Sequence, residues 1–221
     1  LSIGDVIPFD EKYEEKYRLK TFFTMSKGYR AITSGRIDWI PCIFSQIPDL
    51  FKTKTVKVDT AFVQITPPDR RGMCSLGLSV DVTKHAIDQA SLVVGEINEK
   101  VPYTHGDTLI NVNNFDFLVK STEPPYYTAR WQVDDTFDSI GLHTASLIND
   151  GSCLSFFLGP HFDSLVPHLA DKRDLGIHSL FFSDPFMDLM KGGSVSNNRK
   201  GVFLGKSVVT YAQGTVELLE W

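Results

Sequence analysis

Residues 149–185 read NDGSCLSFFLGPHFDSLVPHLADKRDLGIHSLFFSDP, and the fold is decided here. Residues 153–158 are a short apolar run suited to a buried parallel strand, and Gly159-Pro160 punctuates it. The helix expected next carries Phe162, Leu165, Val166 and Leu169 on one face. Gly176 opens a second strand, predicted over residues 177–182, and Ser183-Asp184-Pro185 ends it. Strand, tight turn, helix, loop and strand is the unit with which α/β proteins bring a ligand to a strand's carboxyl end. A site is therefore expected in this stretch.

Upstream, residues 58–81 read VDTAFVQITPPDRRGMCSLGLSVD. They predict a strand over 58–66 that Pro67-Pro68-Asp69 turns out of the sheet. Gly72 and Gly77 mark turns, and Ser75 and Ser79 are expected as turn residues rather than ligand contacts. A short helix over 82–90 and a buried strand over 91–97 follow. Earlier still, residues 21–35 read as a strand end running into a helix that Gly35 stops, and residues 37–44 as a strand. Residues 10–20 read as a solvated surface segment.

Residues 121–135, STEPPYYTARWQVDD, have the content of a linker, and the domain boundary falls there. An amphipathic helix over 136–149 presents Phe137, Ile140, Gly141, Thr144 and Ile148 on one side. Pro185 begins a helix over 185–191, a place proline suits. The polar loop 192–200, GGSVSNNRK, lacks the lysine-threonine ending of a phosphate-binding loop. Residues 207–214 form the last predicted strand.

With 221 residues, 42% of them hydrophobic, the chain can bury a core. A formal net charge of −5 without a basic stripe argues against a nucleic-acid partner. No run approaches the roughly 18 apolar residues of a membrane span. Cys42, Cys74 and Cys153 are widely spaced among apolar residues, and buried free thiols in a reducing compartment are expected. His105 and Asp107 are too few for a metal site, so no metal is expected. Glu96 is expected to make a structural hydrogen bond, and His178 to support its loop.

Residues 149–185 resemble, without a gap, the pattern EDGxTLQxGIGxIPDAV followed by LGIHSEMxSDG. That pattern belongs to the acetyl-CoA hydrolase/transferase branch of the family I coenzyme A transferases. Residues 58–81 resemble the same family's VDVALIQVSPPDxxGxCSLGxSVD, the most specific match in the chain. Residues 46–50, QIPDL, resemble EVPxL, and residues 98–107, NEKVPYTHGD, resemble NxxxPxTxGD. The resemblance implies an α/β fold of the CoA-transferase (NagB/RpiA-like) kind, with open sheets flanked by helices. Residues 1–125 would be the later part of a first α/β domain and residues 126–221 the earlier part of a second, related one. Such a piece is expected to expose sheet edges and apolar surface that further polypeptide or partner chains cover.

In the family the glutamate of GIHSE is catalytic. Here Gly176, Ile177, His178 and Ser179 match and Leu180 stands in the glutamate's place. The family's glycine loop lies against coenzyme and acyl group. Its first glycine is Phe157 here and its second is Gly159, followed by Pro160, His161 and Phe162. The implied coenzyme A contacts are thus Gly159, Pro160 and His161, in a degenerate loop. A CoA-transferase needs a carboxylate to attack the acyl thioester and carry the coenzyme as a glutamyl thioester. Leucine cannot do this. Glycines let oxyanion-binding N–H groups approach closely, whereas Phe157 brings a ring to the implied acyl position.

The resemblance with these losses points first to a catalytically silent relative acting as a structural or assembly subunit. One alternative is an active acetyl-CoA hydrolase or acyl-CoA:carboxylate CoA-transferase using another carboxylate, with Asp184 nearest, or a partner's nucleophile. A further alternative is an acyl-CoA binding or sensing module. No cofactor is expected, and coenzyme A or acyl-CoA only if the pocket is open. Expected partners are other protein chains, as a homo-oligomer or in a larger complex. Family members point to the mitochondrion, and a start on Leu1 rather than Met fits a trimmed targeting segment.

Overall fold

A computed structural model describes residues 16–23 and 26–221, so most of the expected surface segment 10–20 lies outside the described residues. The chain forms two compact units, residues 1–57 and 58–221. In the first, β1 (Leu19–Thr21) and β2 (Ile37–Trp39) pair in parallel around α1 (Ser26–Thr33). Gly35, at φ +74°, lets the chain leave α1 in the left-handed conformation that glycine tolerates. The strand expected over 37–44 pairs only to Trp39, and Pro41, which has no N–H for a ladder, follows it closely. α2 (Ile47–Lys52) buries Ile47 and Phe51, the latter edge-on to Phe22 with ring centroids 6.1 Å apart.

The second unit opens on β3 (Thr60–Ile65), followed by β4 (Met73–Ser75), α3 (Thr83–Gln89), β5 (Leu92–Asn98), β6 (Leu109–Asn111) and β7 (Phe117–Ser121). β3, β5 and β7 form a parallel sheet in that order, and β4 pairs antiparallel with β6. Strict alternation in β3 sends Ala61, Val63 and Ile65 into a core with Cys74, Leu76, Ile87, Val93, Ile110 and Phe115. The opposite face shows the register row Phe62, Val94, Phe117, and Phe62 is 81% exposed. The expected apolar exposure is therefore present on this face. Ser75, expected in a turn, instead ends β4 fully buried and bonded to Thr104, Thr108 and the Gly77 N–H.

Residues 122–134 have no regular structure. α4 (Asp135–Ser146) begins where the Asp134 carboxylate accepts the Phe137 N–H at 2.9 Å. Its buried positions are Gly141 and Ala145, while Ile140 and Thr144, expected inside, are exposed. Close packing selects this face: a Cβ on Gly141 would fall 2.4 Å from the Ser164 carbonyl oxygen. β8 (Cys153–Leu154), α5 (Pro160–Asp163), α6 (Leu165–Leu169), β9 (Gly176–Ile177), β10 (Phe181–Phe182), α7 (Asp184–Lys191), β11 (Tyr211–Ala212) and α8 (Val216–Glu220) complete the chain. β8 pairs with β9 and β10 with β11, both in parallel.

The strand expected over 153–158 ends at Leu154, and the one over 177–182 breaks at residues 178–180. Likewise only Tyr211–Ala212 of residues 207–214 is strand. The expected apolar helix face is shared by α5 and α6: Leu165, Leu169 and, partly, Phe162 and Val166 join a core with Ala145, Leu154, Phe156, Leu175, Ile177, Phe186 and Leu189. Cys74 alone is a buried thiol, raised in pKa by that burial, whereas Cys42 is half-buried and Cys153 exposed.

Candidate functional site

β8 and β9 end side by side, with Leu154 opposite Ile177, so the segments leaving them lie together. Ser179 ties the two: its Oγ donates to the Phe156 carbonyl at 2.8 Å and accepts the Phe156 N–H at 3.1 Å. Ile177 is held harder still. Its N–H donates to Asn197 Oδ1 at 2.8 Å, and its carbonyl accepts from Lys200 Nζ at 2.7 Å and from the Val208 N–H at 3.1 Å. Two side chains thus share with the Val208 backbone the bonding that a neighbouring strand would give Ile177.

Lys200 is 6% exposed, and its ammonium also donates to the Lys206 carbonyl at 2.6 Å. Its stem crosses Gly176, where a Cβ would fall 2.5 Å from Lys200 Cγ. Asn197, at φ +60°, donates to Ser207 Oγ at 3.1 Å. The loop dismissed as a failed phosphate cradle is therefore a clamp on the strand leading to residue 180.

Leu180 is half-buried, and its carbonyl accepts from the Thr210 N–H at 3.2 Å, Thr210 Oγ1 at 3.2 Å and the Tyr211 N–H at 3.1 Å. The Phe181 ring meets Phe157 edge-on at 4.7 Å and Tyr211 at 5.4 Å. Tyr211 bridges antiparallel to Ser79, with Val80 N–H donating to Thr210 O at 3.0 Å and Ala212 N–H to Leu78 O at 2.8 Å. The two most telling motifs, residues 58–81 and 176–180, thus meet across β11. Burial there raises the Asp81 carboxyl and, with the Asp81 charge adding to it, pushes the Tyr211 phenol up to about 12.

Beside these strand ends lies a crevice of about 20 Å³ lined by Thr128–Trp131, Phe157–Gly159, Asp163, Ser183–Pro185 and Gln213. Gly159 takes part, whereas Pro160, His161 and Leu180 are not in its lining. Pro160 starts α5, and the exposed His161 lays its ring against Phe162 at 4.1 Å. Phe157 is 50% exposed rather than packed as core, while Phe162 stacks on Phe156 at 5.2 Å.

Arg130 enters the crevice from residues 122–134 and grips Asp188 with two bonds of 2.5 and 3.0 Å, 3.9 Å from Asp184. The Asp188 hydrogen bonds raise its pKa further and keep it charged. Asp184 is buried and accepts from Thr215 Oγ1 at 2.5 Å and the Thr215 N–H at 3.1 Å, so its carboxylate is engaged. Burial pushes Asp163 up to about 6, with Arg130 opposing the shift and Asp184 and Asp188 adding to it.

Elsewhere, Glu96 accepts from Gln64 Nε2 at 3.1 Å across the sheet, as a structural hydrogen bond would. Asp107 is paired with Lys84, the His105 ring lies 5.4 Å from Tyr103, and no metal-ligating cluster occurs among the described residues. The exposed His178 ring lies edge-on to the Phe203 ring, 6.0 Å away.

Residues 3–127 match the acetyl-CoA hydrolase/transferase N-terminal domain, more than half of the chain. The chain belongs to this family. It is 38% identical over 211 residues to the 4-hydroxybutyrate coenzyme A transferase of Clostridium kluyveri, covering 96% of this chain and 49% of that protein. It is 34% identical over 215 residues to the succinyl-CoA:acetate/propanoyl-CoA:succinate CoA transferase of Fasciola hepatica, covering 97% and 45%. Among solved structures, RipA from Yersinia pestis superposes with a TM-score of 0.88 at 26% identity, covering 96% of this chain and 51% of that one. The 4-hydroxybutyrate CoA-transferase of Porphyromonas gingivalis gives 0.82 at 28%, covering 95% and 55%. The CoA-transferase fold is thereby shown, and this chain spans about half the length of the relatives it matches.

The clamp residues Asn197 and Lys200, and Arg130, Asp163 and Gln213 at the crevice, were not singled out as site residues by sequence reasoning. A signal existed for the first pair, since a paired asparagine beside a lysine in a turn after two glycines favours left-handed backbone with side chains free to bond. The others carry no local pattern at all.

Proposed function

We propose that this CoA-transferase-family chain does not form a glutamyl thioester and serves as a structural or assembly subunit. The observation that carries the reading is Leu180, a side chain without a nucleophile, at the position the family gives to its glutamate. The apolar row Phe62, Val94, Phe117, exposed at both phenylalanines, suits a covered, assembled state with other protein chains. The proposal includes two related α/β domains, residues 1–125 and 126–221, no cofactor of its own, and a mitochondrial location.

The relatives' names favour a second reading, an active acyl-CoA:carboxylate transferase. Asp184 is a poor nucleophile for it, because Thr215 and Arg130 occupy its oxygens. A different carboxylate, or a nucleophile from a partner, would have to serve. Purified protein incubated with acetyl-CoA plus succinate or acetate, with free thiol and acyl exchange followed together, decides between them. No turnover above heat-killed protein is expected. Thiol release, or a covalent coenzyme adduct found by mass spectrometry, overturns the silent reading.

A further inference from the structure

β7 ends its sheet: among the described residues β5 pairs with it on one side and no strand on the other. The register tells which backbone groups stand free there. The Leu92 N–H donates to the Asp59 carbonyl beside β3, so Leu92, Val94 and Glu96 of β5 turn their backbone groups to β3, and Val93, Gly95 and Ile97 turn theirs to β7. Val93 agrees: its N–H donates to Asp116 Oδ2 and its carbonyl accepts the Asp116 N–H, both at 2.8 Å. With Gly95 opposite Leu118, Phe117 and Val119 direct their N–H and C=O groups to β5, and Leu118 and Lys120 hold theirs out from the edge. Side chains leave this edge equally bare. Phe117, Leu118 and Val119 are 60%, 45% and 55% exposed, although neighbours in a strand point to opposite faces. Residues 117–121 hold no proline and pair without a bulge, so the devices that commonly protect an apolar edge are missing.

Residues 116–120, Asp-Phe-Leu-Val-Lys, are their own antiparallel complement. A reversed copy centred on Leu118 sets Asp116 opposite Lys120, Phe117 opposite Val119, and Leu118, with its outward N–H and C=O, opposite itself. Centring on Phe117 or Val119 loses the match of acid to base. We propose that two copies of this chain associate through β7, edge to edge and antiparallel about a two-fold axis at Leu118, and continue their sheets into one. The pairing rests on the assembled state already proposed and names its surface, and it does not depend on catalytic silence. Lys120 lies 3.0 Å from Glu99 with both side chains exposed, a solvent-screened contact that it exchanges for Asp116 of the second copy. On the open face the row Phe62, Val94, Phe117 gains Val119 of the second copy as its next member, and the apolar strip runs across the junction.

Sedimentation over a concentration series, with thiol release from acetyl-CoA plus succinate followed on the same samples, tests the pairing separately from catalytic silence. Wild type should pass from monomer to dimer as concentration rises. Leu118→Pro removes an N–H that β5 does not use, a place where an edge strand accepts proline, and should stay monomeric throughout. Lys120→Glu, an exposed change, sets two acids opposite one another at both ends of the junction and should weaken association about tenfold. Leu118→Cys, opposite itself on the axis, should give a disulfide-linked dimer under mild oxidation beyond the background from Cys42 and Cys153, and Val119→Cys should not. A wild type that stays monomeric overturns the pairing. So does a dimer that Lys120→Glu leaves as tight as before, or one that crosslinks through Val119→Cys rather than Leu118→Cys. Thiol release from wild-type dimers that show the expected crosslink overturns the silent reading and leaves the pairing standing.

Discussion

The sheet of β3, β5 and β7 and the paired strands β8 to β11 belong to one compact unit but are held by opposite means. The first is a continuous parallel ladder whose inner face packs a core and whose outer face stands open. The second has ladders only two residues long, and side chains complete them: Asn197 and Lys200 on Ile177, Ser179 on Phe156, Thr210 on Leu180. A ladder tolerates changes at any one side chain, because its bonds are made by the backbone. A side-chain clamp reinforces a short segment that residues 208–213 hold with only a few backbone bonds, and it fails with a single residue.

The comparison breaks if single substitutions in the two regions cost alike. The largest loss is expected from Lys200→Ala, which leaves the Lys206 carbonyl without its donor and a void over Gly176. Urea unfolding should show roughly 3 kcal/mol. Asp184→Ala strips the acceptor from Thr215 and a partner from Arg130, for about 2 kcal/mol by the same measurement. Gly176→Ala should cost about 1–2 kcal/mol through overpacking against the Lys200 stem. In the double variant Gly176→Ala/Lys200→Ala the two losses should fall short of additive, since the second change makes room for the first. Additive losses would mean that stem and glycine do not touch as described. At the other end, Phe62→Ser or Phe117→Ser on the open face should change stability by no more than about 0.5 kcal/mol. A larger loss would show that something already covers that face.

Much of the fold was legible before any coordinates. The strand at β3, the turns at Gly72 and Gly77 and the helix begun near Pro185 all follow from local rules, because backbone sterics and periodic burial act within a few residues. Strand lengths did not follow. An apolar run such as residues 153–158 reads the same whether or not a partner strand continues beside it, and here the partner ends after two residues. The face of α4 was likewise set by Ser164, against which only Gly141 fits.

For the site, the amino-acid sequence by itself determined the chemistry that is missing: Leu180 has no carboxylate in any conformation, and Phe157 is no glycine. Where side chains from distant positions converge was decided only by tertiary structure. Arg130, Asp163, Asp184 and Gln213 share one crevice, and residues 58–81 reach residue 180 through Tyr211. The burial that raises the Asp163 carboxyl exists only once these segments pack, because desolvation is a property of the assembled surroundings and of no single residue.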